Sequence, residues 1–168
     1  LGNTQRIFLD ATSAAATGVW NSTSPTSSVF SVNGDAVNKS GDNQIAYCWT
    51  AIPGYSAFGS YTGNGSNDGP FIYTGFRVKW LLMKRTDTTS DWVMQDAARM
   101  PANPTATFAG DLWANLPNAE SGTGAYNIDF LSNGFKMRNN YSGNHNASGG
   151  TYVYAVFAEV PFKFARGR

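Results

Sequence analysis

Charge is scarce in this chain. Only 14% of its 168 residues are Asp, Glu, Lys or Arg, against about a quarter in an ordinary soluble domain. The formal net charge is +1. A nucleic-acid surface needs a concentrated basic field. The densest groups of cations are Lys79, Lys84 and Arg85, then Lys136 and Arg138, then Lys163, Arg166 and Arg168, and they are spread out. They read as solvated strand edges and a tail, so no nucleic-acid partner is expected. Cysteine is nearly absent. Cys48 stands alone in an apolar run, cannot form an internal disulfide, and reads as a buried, inert thiol. No apolar run is long enough to span a bilayer, so no membrane insertion is expected. The opening LGNTQRIFLD has no basic region followed by an apolar one, and does not read as a signal peptide.

Catalytic groupings are missing as well. One His, one Cys and no clustered acids cannot supply a zinc tetrad from one chain. Asp87, Asp91 and Asp96 lack EF-hand spacing, and the first two read as turn residues around 86–90. The segment 54–59, GYSAFG, misses the G-x-S-x-G elbow by one residue and has no strand-to-helix context. Glycoside hydrolysis needs two neighbouring carboxylates, and Glu120, Asp129 and Glu159 are isolated along the chain. No phosphate-binding glycine loop opens a helix. The expectation is a non-enzymatic protein with no catalytic residues, no cofactor and no metal.

What is abundant is aromatic, glycine, Asn, Ser and Thr. Aromatics make up 14% of the chain and there are 18 glycines. The stretch 54–76 carries two aromatic arms, 55–61 and 71–76, around Asn64-Gly65 and Asp68-Gly69. Aromatics suit a pleated, half-buried surface, and Asn-Gly and Asp-Gly tolerate the positive φ of tight turns. The arms read as strands joined by a rigid polar loop. Further strands are expected at 6–9, 29–32, 44–51 (QIAYCWTA), 92–95, 112–114, 128–131, 134–138 and 151–159, and a central strand at 77–85 (RVKWLLMKR). Many short strands, frequent turns and no long amphipathic helix give an all-β fold, an antiparallel β-sandwich resembling a jelly roll.

The chain also echoes itself. Phe30, then Asn38-Lys39-Ser40-Gly41, then Tyr47-Cys48-Trp49 recur as Phe135, Asn146-Ala147-Ser148-Gly149 and Ala155-Val156-Phe157, about 105 to 108 residues later. Segment 7–15 likewise echoes 111–119. The later copy has a front half, 71–100, that the earlier one lacks. The expected organisation is one partial copy, 1–53, packed with a full copy and C-terminal tail, 54–168, as one compact unit.

Binding residues remain to be considered. Trp113, Tyr126, Tyr141 and His145 lie in or beside the longer loops. Exposed aromatic faces beside Asn and Asp can stack on sugar rings and fix their hydroxyls. The same aromatics could instead cap the core or pack at a subunit interface. The motifs Asn21-Ser22-Thr23 and Asn146-Ala147-Ser148 fit the glycosylation pattern, as such a composition often produces by chance.

Taken together, YCW at 47–49, GYSAFGSYTGNG at 54–65, DGPFIYTGF at 68–76, KRTD at 84–87, DFLSNGFKM at 129–137 and NASGGTYVYAVFAEVPF at 146–162 resemble a repeat domain of marine bacteriophage (cyanophage and pelagiphage) virion structural proteins. The likeness covers most of the chain from Trp20 onward. It departs at Trp49-Thr50-Ala51, where Phe-Ala-Glu is expected, and at Val78-Lys79, where a proline is expected. The resemblance implies a virion structural protein, a tail fibre or spike module or a capsid-surface protein, located on the extracellular particle. It implies other virion proteins as partners and host-receptor contact. Strand edges left by the half-repeat imply a homo-oligomer, a trimer in a fibre. A carbohydrate-binding, lectin-like module contacting a host-surface glycan is the alternative, followed by an enzyme degrading host polysaccharide.

Overall fold

The computed structural model describes residues 1–99, 110–120, 128–140 and 143–160. Its organising element is a five-stranded antiparallel sheet. The strands are β3 (Ser56–Thr62), β5 (Val78–Arg85), β6 (Trp92–Asp96), β7 (Leu112–Trp113) and β10 (Thr151–Ala158). Their spatial order is β3-β10-β5-β6-β7. The last strand in sequence is therefore interior to the sheet, paired along one side with the edge strand β3 and along the other with the central strand β5. A second, three-stranded sheet has β9 (Gly134–Met137) between β4 (Phe71–Tyr73) and β8 (Ile128–Leu131). Two short pieces, β1 (Gln5–Arg6) and β2 (Ala16–Thr17), pair near the N-terminus, and one helical turn, α1, spans Asp35–Asn38.

Period-2 alternation decides which side chains lie between the sheets. From β10, Tyr152 and Val156 point inward; from β5, Leu81 and Met83; from β6, Val93. They meet Ile72, Ile128, Phe130, Phe135 and Met137 of the second sheet. Each fully buried apolar side chain of this size contributes about 2 kcal/mol. Aromatic edges lock the layers, with Phe135 edge-on to Tyr61 at 6.3 Å and to Tyr154 at 5.3 Å. The protein is thus an all-β antiparallel sandwich.

The aromatic arms of 54–76 are strands, but they do not form a hairpin. β3 pairs with β10 and β4 with β9, so the loop between them carries the chain from one sheet to the other. That loop is held from across the sandwich. Asn146, fully buried, accepts from the Asn64 backbone N–H at 2.9 Å and donates to Ser66 O at 2.9 Å and Asn139 O at 2.7 Å. Side-chain burial withdraws Asn146 from its glycosylation motif.

The earlier copy differs from expectation. Segments 29–32 and 44–51, read as strands, carry no ladder, and Val29, Phe30, Ile45, Tyr47 and Trp49 are exposed. Cys48 is exposed as well, not buried. The physical reason lies in the neighbours. β10 is a strand because β3 and β5 satisfy both of its backbone edges, whereas 44–51 has no such flanks among the described residues. The N-terminal strand is also shorter than expected, at Gln5–Arg6.

Candidate interaction surface

The sheet face turned away from the core is itself apolar. Phe58, Trp80, Leu82, Val153, Ala155 and Phe157 alternate with the inward residues of β3, β5 and β10. Phe157 gathers Tyr55, Phe58 and Trp80 at ring distances of 5.7, 6.1 and 5.8 Å. The N-terminal segment crosses part of this face as a strap. The Trp92 indole donates to Phe8 O at 2.7 Å, and the backbone N–H groups of Ser90 and Ala15 donate to Thr12 O and Thr86 O. Lys84, buried below the strap, donates to Thr12 O at 3.1 Å and Ser90 O at 2.8 Å. Burial lowers the Lys84 pKa, against the opposing pull of the Asp91 charge.

Between strap and sheet an open cleft of about 510 Å³ remains, lined by Leu1, Ile7, Trp49, Phe58, Leu82, Trp92, Val153 and Ala155. Trp49 connects it to segment 43–52, which exposes several large apolar side chains. There Ile45 is 81%, Tyr47 75% and Trp49 66% exposed, and the Tyr47 and Trp49 rings stack at 6.2 Å. The segment ends in a tight turn, closed by reciprocal backbone bonds between Ile52 and Ser56 and by Ser56 Oγ donating to Thr50 O at 3.0 Å. Gly54, at φ 75°, provides the left-handed residue this turn requires. β3 follows at once, with no strand beyond its outer edge among the described residues. An exposed apolar stretch beside an unpaired edge has the physical character of a protein contact.

The residues expected to contact sugar are placed differently. Trp113 pairs with Val93 on the inner side and packs, half-buried, against the core. His145 is fully buried, its Nε2 3.1 Å from Oδ2 of the equally buried Asp111, which also accepts from Gln95 Nε2. His145 therefore offers no surface for a receptor. Tyr126 and Tyr141 lie outside the described residues. Sequence reasoning missed Asp111 as the partner of His145, because nothing local marks a pairing between distant loops. It also missed that Ile45, Tyr47 and Trp49 would be uncovered, although their alternation was visible.

Several acidic groups are tied to arginines. Glu120 accepts from Arg99 at 2.8 Å, Glu159 pairs with Arg77 at 2.8 Å and Asp129 with Arg138 at 3.3 Å. Asp87 accepts from Arg85 Nε at 2.9 Å and Nη2 at 2.8 Å, and from the Thr151 N–H at 3.0 Å. The Arg85 bonds chiefly lower its pKa, to about 2. Among the described residues no three His, Cys, Asp or Glu side chains gather as a metal site. The surface is suited to burial and strand pairing.

Residues 1–161 match a domain of unknown function, DUF7483, and the chain belongs to that family. The match runs through the exposed first third and the sandwich alike. No curated protein and no solved structure matches the chain.

Proposed function

We propose that this chain is a non-enzymatic structural module of a bacteriophage virion, part of a tail fibre, a spike or the capsid surface. It acts by assembly with other virion proteins and with copies of itself, and presents a face to the host. The observation that carries the assembly reading is the exposed band Ile45, Tyr47 and Trp49, together with a β3 edge that no strand covers among the described residues. An isolated chain gains nothing from three large apolar side chains in water, whereas an assembled one buries them, each for about 2 kcal/mol. The virion assignment comes from the motif resemblance of the sequence.

The sugar-binding alternative is weakened by the placement of Trp113 against the core and His145 inside it. The test uses purified particles and purified chain. Antibodies to the chain should label the tail or capsid surface in electron micrographs. Light scattering should give an oligomer, a trimer in a fibre, that resists detergent without boiling. A chain absent from particles overturns the virion reading, and a strictly monomeric chain that binds no particle protein overturns assembly.

A further inference from the structure

Among the edge strands of the two sandwich sheets, β3 is the long and unguarded one. Short strands, charges, prolines and bulges are the usual means of keeping an edge from pairing with another chain. The edges β7, β4 and β8 are two, three and four residues long. β3 has seven residues, SAFGSYT, with no charge and no proline, and meets β10 in an unbroken register. The direction of its backbone groups follows from its neighbours, because an antiparallel strand turns alternate residues to opposite sides. The Gly63 N–H donates to Gly150 O and the Ala158 N–H to Tyr55 O, so the odd-numbered residues from 55 to 63 face β10. Ser56 faces the other way and is capped by Ile52, with which it exchanges backbone bonds. Phe58, Ser60 and Thr62 therefore turn their N–H and C=O groups outward. No backbone meets them there among the described residues, and all three side chains are exposed. Past Thr62 the edge closes, because the Asn64 N–H is taken by the Asn146 side chain.

We infer that this edge pairs with the same edge of a second copy, antiparallel about a two-fold axis at Ser60, which joins the two five-stranded sheets into one. The edge is its own complement. Three outward residues, bounded by a capped turn at one end and a pinned loop at the other, fit their own reversed copy. Phe58 then faces Thr62 of the second copy, Ser60 faces Ser60, and each pair exchanges both N–H···O bonds. Centring the axis on Phe58 or Thr62 instead sets one end of the edge against the turn at Ile52 or the loop at Asn64 and leaves outward groups unpaired. A charged residue here would meet its own copy across the axis, and the edge has none. Trp49 lines one cleft with Phe58, Gly59 and Ser60, which puts part of the exposed band within reach of the incoming strand. The inference rests on the assembly reading and names the surface that two copies share. A two-fold contact closes a dimer, which sets it apart from the trimer expected of a fibre.

The test follows the full 168-residue chain by light scattering over a range of concentrations. The parent should be a dimer. Ser60→Pro removes an outward N–H that β10 does not use, so it should leave the thermal melt in place and abolish the dimer. Two further variants read the register under mild oxidation, each made with Cys48→Ser because Cys48 is the one cysteine. Ser60→Cys sets two thiols on the axis, at the roughly 5.5 Å Cα spacing of a bonded pair, and should link two chains. Phe58→Cys, on the same exposed face, sets them about 13 Å apart along the strands and should not. A parent that is monomeric at every concentration overturns the inference, and binding to a particle protein then decides the assembly reading separately. A trimer, or any oligomer that Ser60→Pro leaves intact, overturns the inference and leaves the assembly reading standing. Equal linking through positions 58 and 60, or none through 60, overturns it as well.

Discussion

Tyr61 of β3 lies flat on Tyr152 of β10, with ring centroids 4.8 Å apart and planes 7° from parallel. Their hydroxyls reach past the sheet to pin one loop. Tyr61 donates to His145 O at 2.7 Å; Tyr152 donates to Gly143 O at 3.0 Å and accepts from the Ala147 N–H at 2.8 Å. Tyr61→Phe keeps the ring and removes one buried bond, for a loss of about 1 kcal/mol, and Tyr152→Phe, which removes two, should cost about twice that. Urea titrations of the three proteins check the order. Burial raises the Tyr61 pKa well above its ordinary value. In the unfolded chain this phenol releases its proton first, so its contribution to stability holds below about pH 10 and is lost as the pH rises further.

Asn146 performs for two loops what a backbone ladder performs for strands. It bonds to Asn64, Ser66 and Asn139 from a fully buried position. Asn146→Ala strands several of these groups together, and a loss of about 3 kcal/mol is expected. The close approach depends on Gly63, whose N–H bonds to Gly150 O at 2.8 Å and where a Cβ would collide with Ala147 O and lie 2.9 Å from the Asn146 carbonyl carbon. Gly63→Ala should therefore destabilise by a similar amount, about 2 to 4 kcal/mol. Thermal melts of both variants would show it. A Gly63→Ala protein as stable as the parent would mean the two loops are not in contact.

Asp87 links the end of β5 to the start of β10, where the Thr86 N–H also donates to Thr151 O at 2.8 Å. Its pKa is depressed to about 2, chiefly by the Arg85 bonds. The unfolded chain takes up this proton first as pH falls, so the stabilisation is complete above about pH 4 and disappears as the pH drops toward 2. Asp87→Asn should flatten that part of the acid limb of a stability–pH profile. At neutral pH it should cost about 1 kcal/mol, since the pair is partly exposed and solvent screens it.

The short apolar run at 77–85, bounded by turns, and the alternation at 151–159 are enough to recognise two strands, observed at Val78–Arg85 and Thr151–Ala158. The same reasoning failed at 44–51, whose alternation is equally clear. A strand also needs flanking backbone, and the pattern does not say whether the flanks are present. At 54–76 the two strands and the polar loop between them were legible, but Asn64-Gly65 and Asp68-Gly69 do not say that the loop leads from one sheet to the other. Asn146, distant in sequence, holds that loop across the sandwich. His145 looked like a loop histidine because the polar residues around it are themselves buried. Only the placement of Asp111 at 3.1 Å reveals its position.

Lys84 holds the N-terminal strap over the outer sheet face. Its ammonium meets carbonyls from Thr12 and Ser90, and hydrogen bonds to a charged donor contribute about 1.5 to 3 kcal/mol. Lys84→Ala removes the donor and leaves those carbonyls facing an apolar sheet. Global stability should fall by about 2 kcal/mol, and the strap should loosen first because only a few backbone bonds remain to hold it. Limited proteolysis should then cut within residues 1–15 while the sandwich survives, and Trp92, which donates to Phe8 O, should shift its fluorescence to the red. The shift and the cleavage should appear together, since both report separation of the strap from β6. A variant that loses stability without either change would place the role of Lys84 in the sheet alone.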